Sequence, residues 1–286
     1  MNLSLYACPR CHRPLAGDAL RLHCHECGFA LTMSEGLWLD NTLAQPPGFS
    51  PDRREHLSDI ERDHFWFGPR DHLLAKLAAR ELPRGGNALE LGCGSGRLLP
   101  AWNTQFAQTF AVESYARSLA EAQARDARTT LVQADVTRLP FADNQFDTVL
   151  AFDVLEHAPA DAMLGEARRV ARDGARFLLS VPAFQSLWSY ADVAAGHRCR
   201  YDLAQLRGEL VANGWRLLGH THYQFALFPV LWLSRRLLGE RGQAAERRPS
   251  RVATALLGRI NALEVGLGAG LRLPYGTSLM AWAEAV

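Results

Sequence analysis

An apolar strand that runs straight into three alternating glycines constrains this chain more than any other feature. Asn87 to Leu91 reads as a short buried strand, and Gly92, Gly94 and Gly96 follow it before a helix that begins near Arg97. Glycine lets a backbone turn sharply and approach a ligand closely. Strand, glycine turn and helix in that order open a doubly wound α/β sheet, whose ligands sit outside the carboxyl ends of the strands. The dinucleotide fingerprint G-x-G-x-x-G needs a glycine three positions after the second. That position is Arg97, so the NAD reading fails on spacing.

The strands that follow carry acids at the same end. Thr109 to Glu113 is a second strand, and its acid lies 21 residues after Gly92. An acid there can accept hydrogen bonds from both hydroxyls of a ribose. Leu131 to Asp135 is a third strand; Asp135 is placed to accept from an adenine amino group, with the backbone of Ala134 and Val136 beside it. Phe146 to Phe152 is a fourth, followed by Asp153. Three successive strands thus end in Glu90, Glu113 and Asp135. The alternative is that each acid caps the helix after it. Ala160 to Ala171 reads as a helix, Arg176 to Val181 as a fifth strand, and Leu203 to Asn213 as a helix ended by Gly214. Trp215 to Thr221 and Ser278 to Ala283 supply a sixth and a seventh strand.

The E-x-G-x-G-x-G run from Glu90 to Gly96, Leu139-Pro140-Phe141, and Asp153-Val154-Leu155-Glu156-His157 resemble the class I S-adenosylmethionine (SAM)-dependent methyltransferases, across roughly Ser58 to Thr221. The resemblance implies SAM as methyl donor and a Rossmann-like seven-stranded α/β sheet whose last strand runs antiparallel. It implies cofactor-binding roles for Glu90, Gly92, Gly94, Gly96, Glu113, Asp135, Val136 and Asp153. In that family the position of His157 borders both donor and acceptor.

Ahead of this domain, Cys8-Pro9-Arg10-Cys11 and Cys24-His25-Glu26-Cys27-Gly28 form two C-x-x-C pairs twelve residues apart. Each pair can form a tight knuckle, and four thiolates give the closed tetrahedral shell of a structural zinc ion. Gly28 suits the left-handed turn often needed after a knuckle. Free thiols are the alternative. A closed shell leaves no open position for catalysis, so this module is structural or holds a substrate. Some forty residues build little core, so metal would supply most of its folding free energy. Leu31 to Leu39 is expected to return as a short strand, and Gln45-Pro46-Pro47-Gly48 reads as a linker. The expected organisation is a ribbon at 1–44, a linker at 45–57 and a methyltransferase domain at 58–286. The ribbon resembles those attached to some RNA methyltransferases.

The acceptor should meet the methyl group at the end of the fifth strand. There the chain runs through Leu187-Trp188-Ser189, Asp192, Gly196-His197, Arg200 and Tyr201, a non-periodic loop rich in acids, bases and rings. An acceptor hydroxyl must lose a proton. His197 is the first candidate base, with Asp192 orienting it or acting in its place, and His157 is the third. The plainer reading is that Asp192 and Arg200 simply pair. Together with His64-Phe65-Trp66-Phe67 ahead of the domain, which either packs on it or forms a lid, this loop resembles a bacterial subgroup that accompanies glycosyltransferases and cell-envelope genes. That resemblance implies glycan-type or lipid-linked acceptors. Cys199 stands where a second arginine is expected, and the subgroup does not generally carry the ribbon.

More than fifty residues, 222–274, separate the sixth and seventh strands and read as a helical insertion. Phe225 to Leu238 is apolar with aromatics, and Arg235, Arg236, Arg241, Arg247, Arg248 and Arg251 follow against Glu240 and Glu246. An apolar helix beside basic residues suits an interfacial membrane contact through 225–251; a helical hairpin that covers the domain or makes a dimer is the alternative. No run approaches the roughly 18 apolar residues of a membrane span. With no basic-then-apolar start either, the expected place is the cytosol, peripheral at the inner membrane face. The net charge of +1 gives no global basic surplus for nucleic acid. An RNA base methyltransferase that docks through its ribbon, and a non-catalytic SAM-binding partner protein, are the competing functions.

Overall fold

The computed structural model describes residues 3–43, 65–238, 251–268 and 272–286. The linker, His64, Arg241, Arg247 and Arg248 lie outside them.

A single mixed sheet organises the chain. Its central strands are β5 (Asn87–Leu91), β6 (Gln108–Glu113), β7 (Thr130–Gln133), β8 (Phe146–Phe152), β9 (Ala171–Pro182), β10 (Trp215–Tyr223) and β11 (Ser278–Ala285). They lie in the order β7-β6-β5-β8-β9-β11-β10. The first five are parallel, and β11 runs antiparallel between β9 and β10. Each of the seven strands expected for the central sheet is present, the third ending at Gln133, short of Asp135. The fifth is longer than its apolar stretch because Ala171 already pairs with Phe146.

Side chains alternate across a strand, and that alternation divides the core in two. Leu89, Leu91, Val112, Val149 and Phe177 face the side covered by α4 (Ala160–Val170) and α6 (Leu203–Ala212). Ala88, Ala111, Leu150 and Leu178 face α1 (Phe67–Glu81), α2 (Leu99–Gln105) and α3 (Ala116–Arg125). Glu90 shares the second face, so its carboxyl is directed into an apolar layer.

Gly68 and Pro69 lie in the first turn of α1, where proline is tolerated because its missing N–H has no helical partner. The insertion forms α7 (Phe228–Leu238) and α8 (Arg251–Gly268). Val265 of α8 is buried in the same core as Leu73, Leu74 and Leu77 of α1. The Glu264 carboxylate accepts the N–H groups of Phe225 and Ala226 at 3.1 and 2.9 Å. The two helices are thereby tied to one another and to the domain.

The amino-terminal module continues the sheet. Strands β1 (Ala16–Gly17), β2 (Arg21–His23), β3 (Ala30–Ser34) and β4 (Leu37–Leu39) run antiparallel, and β4 then pairs in parallel with β7 through Leu37↔Leu131 and Trp38↔Val132. The single strand expected over Leu31 to Leu39 is a hairpin, with Glu35 and Gly36 at positive φ. Tyr6, Leu22, Leu31 and Trp38 are buried in the same cluster as Phe110 and Phe141. Packing on the domain therefore supplies apolar burial that the module could not reach alone.

Candidate functional site

The glycine turn has the conformation its composition demands. Gly92, Gly94 and Gly96 have φ of 64°, 53° and 76°. A Cβ at Gly92 would meet Val154 at 2.6 Å, and one at Gly96 would meet Ala122 at 2.7 Å. A Cβ at Gly94 would meet nothing within 4 Å. Two glycines therefore permit close packing, and the middle one opens onto free space. The Gly94 N–H donates to Glu113 Oε2 at 3.1 Å, and Glu113 Oε1 accepts from Ser114 Oγ and the Tyr115 N–H, each at 3.1 Å. Asp135 lies two residues past β7. Its Oδ1 accepts the Thr137 N–H at 2.8 Å and Thr137 Oγ1 at 2.7 Å, an Asx turn that fixes the carboxylate. Val136 is half-buried against the core.

None of these acids caps a helix. The residues at the caps of α2, α3 and α4 are Leu98, Tyr115 and Pro159, without side-chain bonds. Glu113, Asp135 and Asp153 thus stand at or just past the strand ends without a helix-capping role.

Glu90 lies below this surface. Its Oε2 accepts from Trp102 Nε1 at 2.8 Å. Burial lifts its pKa to about 8, against the opposing pull of Trp102 and the Arg70 charge. Asp153 takes a positive φ of 55°, a conformation that costs free energy and clusters at functional sites. It is held by an ion pair with Arg70 and by Ser180 Oγ, which donates to Oδ1 at 3.1 Å. Arg70 also donates to Ser180 Oγ at 3.0 Å and lies over the Trp66 ring at 4.7 Å. Trp66 and Phe67 thus pack at the start of α1, and behind them sits an arginine that no sequence signal indicated. The contact crosses 83 positions.

The loop after β9 converges on His197. Ser189 and Asp192 form a capping box on α5 (Tyr190–Ala195). Asp192 Oδ1 then receives both His197 Nδ1 at 2.8 Å and Arg200 Nε at 2.8 Å. Burial opposes the charge on Asp192, but the bonds from His197 and Arg200 hold its pKa at about 2. With its oxygens already engaged, Asp192 can orient His197 but is not a free base. The pairing of Asp192 with Arg200 and the Asp192–His197 contact are both present.

His197 Nε2 faces Glu156 Oε1 at 3.9 Å, and the rings of His197 and His157 lie 4.8 Å apart. Burial and the nearby His197 depress the His157 pKa to about 4. Glu156 is fully buried, and neither of its carboxylate oxygens has a hydrogen-bond partner; burial, with Asp153 nearby, pushes its pKa well up. In sequence it belongs to the Asp153–His157 run, and only the fold brings it opposite His197. One short segment joins the two halves of the site: Val154 packs on Gly92, and Glu156 and His157 meet His197.

The four ribbon cysteines also converge. Cys8 and Cys27 sulfurs are 3.3 Å apart, Cys11 and Cys24 are 3.4 Å apart, and all four lie within 4.8 Å of one another. His12 and Gly28 both take positive φ, at 57° and 73°, one after each knuckle.

Residues 89–179 match the family described as "Methyltransferase domain". A protein of Mycobacterium tuberculosis named "Probable S-adenosylmethionine-dependent methyltransferase" is 29% identical over 127 residues, 44% of this chain and 46% of the relative. A malonyl-[acyl-carrier protein] O-methyltransferase of Pseudescherichia vulneris is 31% identical over 156 residues, 51% of this chain and 59% of its own. The chain spans about half the length of these curated relatives. Among solved structures, a chain from the complex of the Haloferax volcanii Trm112 methyltransferase activator with a methyltransferase aligns with a TM-score of 0.55 at 17% identity, covering 82% of this chain and 94% of that one. A TehB-like SAM-dependent methyltransferase of Corynebacterium glutamicum aligns at 0.54 and 13% identity, over 82% and 99%. Strand order, glycine turn and family match agree: the chain contains a methyltransferase domain of the class I SAM-dependent kind.

Proposed function

We propose that the protein transfers the methyl group of SAM to an oxygen of a glycan-type, lipid-linked or small-molecule acceptor. The observation that carries this reading is the segment 153–157, which joins the glycine turn to the Asp192–His197 pair. Glu113 would hold the ribose hydroxyls and Asp135 the adenine amino group. The donor is already activated, so alignment and exclusion of water supply most of the rate. The acceptor hydroxyl gives its proton to His197 Nε2, while Asp192 fixes the ring through Nδ1. His157, exposed at the edge of the same cluster, is held largely neutral by its desolvated side and by the nearby His197.

Zinc on Cys8, Cys11, Cys24 and Cys27 fits the converging sulfurs. Four thiolates complete a tetrahedral shell, so its role is structural. The exposed apolar side chains of α7 (Val230, Leu233, Leu237) and α8 (Val252, Leu256, Leu263) support a lipid-linked acceptor. Between 235 and 259 the sequence has seven arginines and two glutamates. Exposed apolar side chains beside a basic stretch of sequence suit an anionic membrane, where each arginine near the lipid adds roughly 1 kcal/mol.

The test is conversion of SAM to S-adenosylhomocysteine with polyprenyl-linked glycans and small hydroxylated acceptors. His197→Ala should bind SAM as before and lose turnover by about 100-fold or more. Normal turnover in His197→Ala would remove the base assignment. Methylation of RNA alone, with steep salt dependence, would replace the acceptor class.

A further inference from the structure

Glu156 poses a problem that the methyl-transfer reading leaves open. A carboxylate shut away from water and without hydrogen bonds is unstable in its charged form, yet both Glu156 oxygens are buried and unpartnered. Arg70 and Arg200 act on it only through charge, without a hydrogen bond. Around it, His157 and His197 each offer a ring nitrogen, and one ligand atom from each of the three residues lies within 4.8 Å of the others. Both rings are held by protein groups. His197 Nδ1 meets Asp192, and His157 hydrogen-bonds the Gly196 backbone. Metal-bound histidines are held in this way, by a carboxylate or carbonyl on the far nitrogen.

We propose that Glu156, His157 and His197 form a divalent-cation site on the acceptor side of the glycine turn, with Asp192 positioning His197 behind it. The 3.9 Å between His197 Nε2 and Glu156 Oε1 lies within the roughly 4.2 Å that a cation about 2.1 Å from each can bridge. Two imidazoles and one carboxylate suit a first-row transition ion such as Mn2+, Fe2+, Co2+ or Zn2+ and leave coordination positions open. Those positions would face the acceptor, where a cation polarises an oxygen. The inference rests on the reading that this cluster faces the acceptor. It changes the role of His197 from proton acceptor to ligand.

The experiment uses the full-length chain with its cysteine site filled by zinc. Mn2+ is titrated and followed by the loss of its free electron paramagnetic resonance signal, and Co2+ by its visible absorption. Mn2+ is a poor ion for four thiolates, so the ribbon does not interfere. The expected result is one Mn2+ or Co2+ per chain. Affinity should fall at least tenfold in Glu156→Gln and in His197→Ala, and about 10–100-fold in Asp192→Asn, with SAM binding retained in all three. No binding of either ion, or equal affinity in wild type and Glu156→Gln, would overturn the proposal. A chain that binds Mn2+ through Glu156 but does not bind SAM would keep the cation site and overturn the methyl-donor reading instead.

Discussion

At the scale of single residues, the site depends on carboxyl groups set in contrasting surroundings. Glu113 is fixed by the Gly94 and Tyr115 N–H groups, which leaves it poised at the edge of the open space above Gly94. Glu90 is the opposite case, a carboxyl driven into the apolar layer. Its folded-state pKa of about 8 lies above the ordinary carboxylate value of 4.5, so the folded protein holds a proton that the unfolded chain releases. Its contribution to stability is complete below about pH 4.5 and is lost as pH rises towards 8. Glu90→Gln keeps an acceptor for Trp102 and removes the ionisable group. Its melting temperature should exceed that of the wild type at pH 8 and approach it at pH 5; an equal difference at both pH values would contradict this. Gly92, Gly94, Gly96, Glu113 and Asp135 could be read from sequence because each is set by its position at the end of an apolar strand. Arg70 could not, because its partners come from distant segments and no local pattern marks it; Glu156 stands in the Asp153–His157 run, but its place opposite His197 is set by the fold.

At the scale of elements, the ribbon does more than its cysteine spacing suggests. Its two C-x-x-C pairs were legible because ligand spacing is local. The β4–β7 pairing was not, since a three-residue strand and a partner some ninety positions away leave no periodic trace. That pairing bears on the donor pocket. β7 leads directly into Asp135, and the segment after it is held by Ala142 N–H donating to the Leu5 carbonyl at 2.8 Å. Tyr6 also packs on Phe141 with ring centroids 5.7 Å apart. Removing metal with a chelator, or making Cys11→Ser, should therefore weaken SAM binding by roughly tenfold as well as unfold the module. Trp38→Ala should cost about 3–5 kcal/mol of stability, read as a lower denaturation midpoint. Unaltered SAM affinity after metal removal would show that the ribbon does not support the pocket.

At the scale of the whole molecule, one sheet carries every feature: the cysteine module at one edge, the glycine turn at its centre, the loop of Asp192 and His197 after β9, and β10 at the other edge. The sheet class was readable because apolar strands and helices alternate. The attachment of α7 and α8 to the domain was not, because Glu264 and Val265 meet partners far away in sequence. Exposed Val230, Leu233, Val252 and Leu256 lead to the expectation that the chain sediments with phosphatidylglycerol vesicles and not with phosphatidylcholine vesicles. Binding should weaken at high salt and in Leu233→Glu/Leu256→Glu; recovery of all the protein in the supernatant would exclude a lipid surface. The central claim is that the strand-end acids hold the nucleoside of a methyl donor. Calorimetric titration of SAM into the wild type, Glu113→Ala and Asp135→Asn tests it most directly. The expected result is one SAM per chain, with affinity reduced at least tenfold in Glu113→Ala, where hydrogen bonds to a charged group are worth about 1.5–3 kcal/mol each, and a smaller loss in Asp135→Asn. Absence of binding by the wild type, or an unchanged affinity in Glu113→Ala, would contradict it.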